Sequence, residues 1–316
     1  MFSRELNRLA PILFLILLCA CSSFPLSEAM ADETQCAIPS FENQIETEHF
    51  VLKWTNASLN AADNISDPEI IRETAGYFES AWDKLTGLFG RMPYRPPGSA
   101  RISVIFHDLD CYAYADPPEG PIELNSCVWK RMPSIRQSTS AHELFHKLQY
   151  AYGYKTRWGP PKEPILWFTE GTAAWAEVFV WGRVSRNCKV EDMFKNTSID
   201  LFDAEDMALP FWIYFVSGNS SAPKNQLMVK LFEKCEEENW DAKKALFDVI
   251  RDTYGSVDSF FFRFALARRD CFWQNPGSQP SNYTHILGPD GVDLVAEIRE
   301  YQYKRHWPPL KSNKAL

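Results

Sequence analysis

The sequence predicts an α+β chain, with a mixed lobe of strands and helices followed by a mostly helical lobe. Three observations carry that expectation. A strand, a long helix and a second strand can be read in order between His49 and Phe106. A helix containing H-E-x-x-H comes next, from His142 to His146, and a second apolar helix follows from Leu166. Beyond Gly182 the apolar spacing is mostly helical.

The chain has 316 residues, 45% of them apolar and 14% aromatic, enough to bury one large core or two lobes. Its formal charge of −8 argues against a nucleic-acid partner, because phosphate binding needs a basic surface. Residues 1–31 read as a targeting segment. Arg4 and Arg8 precede an apolar run from Leu9 to Ala20 that is short for a membrane span. Ala29-Met30-Ala31 suits cleavage, while Leu18-Cys19-Ala20-Cys21 resembles a lipobox with a lipid anchor at Cys21. On either reading the protein is exported: secreted, periplasmic or lipid-anchored at the cell envelope.

The expected body divides into a first lobe at 32–182, a helical lobe at 183–275 and an extension at 276–316. His49 to Trp54 is the first expected strand. Asp67-Pro68 then opens a helix, with Asp as cap and Pro in the first turn. Ile71, Ala75, Phe78, Trp82, Leu85 and Phe89 form its core stripe, and Gly90 ends it. Alternation from Arg101 to Phe106 marks a second strand. His107, at its end, reads as an ordinary histidine. Residues 116–121 hold three prolines and a glycine and must be a loop. Ile122 to Trp129 is read as a third strand. Of eight cysteines, Cys19 and Cys21 fall in the leader. Cys36, Cys111, Cys127, Cys188, Cys235 and Cys271 remain, and export suggests disulfides, with Cys111–Cys127 the favoured pair. Sequons at Asn56, Asn64, Asn196, Asn219 and Asn282 would matter only in a eukaryotic secretory pathway.

His142 and His146 lie four apart on one helix face and can hold a zinc ion together. Glu143 sits beside the first histidine, placed to take a proton from a zinc-bound water. Ser138, Thr139 and Ser140 are polar residues suited to a helix start, and Ser140-x-x-Glu143 also reads as a capping box. A third ligand is needed, and the helix from Leu166 offers two acids. Glu170 and Glu177 are two turns apart on one face, among Trp167, Phe168, Trp175 and Phe179. Either can be the ligand, and Glu177 can instead support a histidine from behind.

His142-Glu143-Leu144-Phe145-His146 followed by Trp167-Phe168-Thr169-Glu170-Gly171 resembles the gluzincin metallopeptidases, zincins with a glutamate third ligand. The W-x-x-E-G-x-A form is more similar to secreted bacterial members like hyicolysin than to thermolysin. The resemblance implies a zincin fold, His142, His146 and Glu170 as ligands of one catalytic zinc ion, and Glu143 as general base. Ala174 departs from the family pattern, which has an Asp there to orient the first histidine, and Glu177 is the candidate replacement. The family also implies a cleft-bordering strand just before the zinc helix, expected at 122–129, and an oxyanion donor from the second lobe. Tyr214, Tyr254 and His285 are candidates for that donor.

The expected function is therefore an exported zinc-dependent metallopeptidase acting on peptide or protein substrates. The alternative is a catalytically weak zincin-fold module that binds proteins. An intact Glu143 argues against that alternative, since a binder has no chemical need for a base.

Overall fold

A computed structural model describes residues 38–115, 117–154, 165–182, 201–203, 208–217, 225–261 and 263–264. The leader, the residues from 265 onward, and Cys36, Cys188, Cys271 and His285 lie outside the described residues. The architecture is α+β, a small mixed sheet with helices packed on it.

Strands β1 (Asn43–Glu46) and β2 (Phe50–Trp54) form an antiparallel pair. Helix α1 (Pro68–Phe89) then crosses to β3 (Ile102–His107), which runs parallel to β2. The Asp67 carboxylate accepts from the Glu69 N–H at the start of α1, and Gly90, at φ +62°, closes its end. The expected stripe is buried, with Phe78, Ala81 and Leu85 fully enclosed against Phe50, Leu52, Val104 and Phe106 of the sheet. This unit is held at its entrance by Glu79, which accepts from the His49 backbone N–H at 2.9 Å and faces His49 Nδ1 at 2.6 Å. Burial alone would raise the Glu79 pKa, but hydrogen bonds from Thr47 and His49 outweigh it and lower it. Its stabilising contribution is thus present above the unfolded carboxylate pKa and lost as pH falls through the folded value. Glu79→Gln is expected to lower unfolding free energy by about 1 kcal/mol at pH 7. The gap should close toward pH 3 in urea titrations.

Two elements differ from the sequence expectation. The sheet order is β1-β2-β3-β5-β4, with β4 at Ala113–Tyr114 and β5 at Ile122–Asn125. The segment expected as a cleft-bordering edge, 122–129, is thus an interior strand followed by helix α2 (Ser126–Arg131). The Asn125 side chain stops the strand, because its oxygen accepts from the Val128 N–H and caps α2. The edge is β4, antiparallel on the outer side of β5. Helix α3 (Pro133–Ala151) begins well before Ser140. Ser138 and Ser140 donate to the Ile135 and Arg136 carbonyls within the helix, so they do not cap it.

The favoured disulfide is also absent. Cys111, Cys127 and Cys235 are free thiols. Cys111 lies in the turn before β4 with Sγ directed at the Ala113 carbonyl, 3.3 Å away, while Cys127 belongs to the first turn of α2. Closeness in sequence does not bring the two sulfurs together. Cys235 is enclosed in the apolar core.

Helix α4 (Leu166–Trp181) packs on α3 and is apolar almost all round. Such a helix has to be a core element, and Phe168, Ala173, Ala174 and Ala176 are fully buried. Helices α5 (Leu209–Ser217), α6 (Gln226–Glu237) and α7 (Ala242–Tyr254) follow, and residues 257–261 are again helical. These match the helical runs expected there. Among the described residues no helix is long and apolar enough to cross a membrane.

Candidate metal centre

Helices α3 and α4 supply every residue of the site. His142 and His146 stand one turn apart with ring centres 4.9 Å from each other. Both present Nε2 to one carboxylate oxygen of Glu170, His142 at 3.3 Å and His146 at 3.6 Å. One ligand atom from each of these three residues lies within 4.8 Å of the others. Glu177 is not part of that trio. Its carboxylate, 1% exposed, takes the opposite nitrogen of His142, with Oε1 2.9 Å from Nδ1.

His146 is held in the same manner by a residue not singled out from the sequence. Gln149 Oε1 lies 2.9 Å from His146 Nδ1. The Gln149 amide donates to the Thr169 carbonyl at 2.8 Å and to Thr172 Oγ1 at 3.1 Å. Thr172 spends its own proton on the Phe168 carbonyl. The amide orientation is therefore fixed by its partners, and its oxygen must accept from Nδ1–H. Each imidazole thus directs a proton away from the trio and turns Nε2 toward Glu170. That is the tautomer metal-binding histidines need. Gln149 lies three residues beyond His146, on the same helix face, and that spacing is the signal that could have revealed it.

The electrostatics follow from burial and from three carboxylates around two imidazoles. Burial alone would lower the His142 pKa, but hydrogen bonds to Glu170 and Glu177 outweigh it and hold the pKa well above the usual histidine range. Burial would likewise raise Glu170. Its contacts with His146 and His142 instead hold it well below the usual carboxylate range. For Glu143 burial wins, pushing its carboxyl up, with Glu170 and Glu177 adding to the shift against the two histidines. A carboxylate with a raised pKa is a better proton acceptor, as a general base requires.

Glu143, His146, Glu170 and Thr169 line a small, partly open cleft, together with Ala113, Tyr114, Ala115, Tyr150 and Tyr154. The β4 edge forms one wall. Tyr150 and Tyr154, which also line the cleft, stack with centroids 5.8 Å apart. Tyr154 rests against Trp240, whose indole donates to the Tyr152 carbonyl. Asn239 and Trp240 both take positive φ to seat that ring, an unfavourable conformation for residues with side chains. Of the expected oxyanion candidates, His285 lies outside the described residues and the two tyrosines are not among those lining the cleft. Tyr254 donates to the Phe215 carbonyl, and Tyr214 packs on Phe260 and Phe264. His107 is buried against Glu123 at 2.7 Å.

Gly171 is what lets α4 sit at this depth. A Cβ there would stand 2.5 Å from the Trp212 indole nitrogen and 2.8 Å from Ala208 Cβ. Trp212 cannot readily yield, since it is fully buried and donates to the Trp167 carbonyl. Gly171→Ala is expected to cost ~1–3 kcal/mol of unfolding free energy by overpacking, measurable by urea titration.

The donor set can be tested against a metal by distance. Two ligands of a tetrahedral zinc at ~2.0–2.1 Å stand about 3.3–3.4 Å apart. The two imidazole–carboxylate separations, 3.3 and 3.6 Å, fit that edge. Two nitrogens and an oxygen, with none of the free thiols among the trio, suit zinc with an open fourth position. No family model matches this chain, and no curated protein matches it.

Proposed function

We propose that the protein is a zinc-dependent metallopeptidase of gluzincin type, exported as the leader suggests. The observation that carries the reading is that one ligand atom each of His142, His146 and Glu170 lies within 4.8 Å of the others, with Glu143 lining the same cleft as His146 and Glu170. His142, His146 and Glu170 would hold the ion. When bound, zinc supplies a Lewis acid that polarises a carbonyl and lowers the pKa of a coordinated water toward ~7.

The chain's own residues would divide the remaining work. Glu177 and Gln149 hold the imidazoles by Nδ1 and keep Nε2 aimed. Glu143 accepts the proton lost by the attacking water and returns it to the leaving amine as the peptide C–N bond breaks. β4 is the last strand of the described sheet and lines the cleft, so an extended peptide would pair beside it by strand addition. The tyrosines of the cleft wall replace Tyr214 and Tyr254 as the nearest candidates for a donor to the developing oxyanion.

The test is cleavage of a broad peptide library by purified protein. Activity should disappear with a chelator and return with zinc; absence of cleavage by the zinc-loaded protein would remove the proposal. Zinc affinity supplies an independent check. Gln149→Met and Glu177→Gln are each expected to weaken zinc binding ~10–100-fold, read by competition with a chromogenic chelator. Unchanged affinity in both would mean that these residues do not orient the histidines.

A further inference from the structure

We infer that Lys147 is a positioning residue for the substrate, fixing the β4 edge relative to the turn of α3 that carries His146. The inference rests on the peptidase reading for the word substrate, and on geometry alone for the clamp.

Lys147 directly follows His146, yet its side chain is among the most deeply enclosed in the protein, at 1% exposure. Its ammonium donates to the carbonyls of Pro117, Pro118 and Gly120 at 3.1, 3.1 and 2.9 Å. All three acceptors belong to the segment that follows β4 and leads into β5. The main chain of Lys147 joins the same connection. Its carbonyl accepts from the Tyr94 N–H at 2.8 Å, and the Tyr94 hydroxyl donates to Glu119 at 3.3 Å.

That segment is poorly equipped to hold itself. Pro117, Pro118 and Pro121 have no N–H to donate, and the Gly120 N–H bond to Pro117 closes only a local turn. Among the described residues, β4 has two ladder residues, both on β5. Packing alone does not ask for a lysine here, because an apolar chain of similar length would avoid desolvating a charge. What the ammonium adds is a directional tie between the cleft's edge strand and the metal helix. A peptide pairing with β4 is placed over the metal only if that distance is held, and misplacement by about 1 Å can cost ~10²-fold in rate.

The experiment uses zinc-loaded full-length protein carrying Lys147→Met. Two substrates are compared, an eight-residue peptide that can run along β4 and a blocked dipeptide that reaches little beyond the metal. Zinc content should remain at the wild-type level. kcat/KM for the long peptide should fall about tenfold or more, and dipeptide cleavage should be nearly unchanged. Hydrogen exchange should quicken at 113–121 but not at 138–150. That last readout needs no activity, so it tests the clamp even if wild type cleaves nothing. Unchanged exchange at 113–121, or equal losses on both substrates, would overturn the inference. Lys147→Gln, whose amide keeps two N–H donors without the charge, serves if the Met variant does not fold. Failure of both to fold would make Lys147 a folding residue and likewise overturn it.

Discussion

Glu143→Gln is expected to retain zinc at the wild-type level and to cleave peptides ~10²–10⁴-fold more slowly, the usual cost of losing a general base. The substitution keeps side-chain size and hydrogen-bonding capacity while removing the basic oxygen. Glu143 lies beside the ligand trio but outside it, so metal binding and chemistry should separate. The loss should appear in kcat more than in KM, because the base acts on the reacting water. Cleavage by Glu143→Gln at the wild-type rate would leave a zinc-binding protein without the proposed mechanism. The protein-binding reading would then take its place.

Glu170→Ala is expected to lose metal and activity together, and so is His142→Ala. Among the described residues, Glu170 is the carboxylate that faces both Nε2 atoms. Removing it leaves two imidazole ligands, fewer than the three protein ligands of catalytic zinc sites. Glu177 cannot substitute, since it is committed to His142 Nδ1 on the far side of the ring. Zinc measured after dialysis should fall from one per chain to a small fraction. Full zinc retention by Glu170→Ala would reject the ligand assignment.

How much could be read from the sequence depended on the range over which each signal acts. His142 and His146 were legible because helix geometry sets their relation within a single turn. Glu170 and Glu177 were legible as a pair on one face, but their division of labour was not. Which acid meets Nε2 and which meets Nδ1 depends on how α3 and α4 cross. Gln149 was overlooked because an amide beside a ligand carries no sign of its own until Thr169 and Thr172 fix its orientation. β4 escaped because two residues give no alternation to detect, and the prolines after it suggested only a loop. The start of α3 was read too late because Ser138 and Ser140 have side chains suited to a cap, whereas here they bond back into the helix. The Cys111–Cys127 pairing rested on chain distance, which says little about where two sulfurs point.

X-ray absorption at the zinc edge of the metal-loaded wild type tests the metal centre most directly. The site described here predicts two imidazole nitrogens and only oxygen donors besides, all near 2.0–2.2 Å. The spectrum of Glu143→Gln should show the same protein ligands, and Glu170→Ala should not yield a stable zinc site. Sulfur at ~2.3 Å, or fewer than two imidazoles, would contradict the assignment of His142, His146 and Glu170.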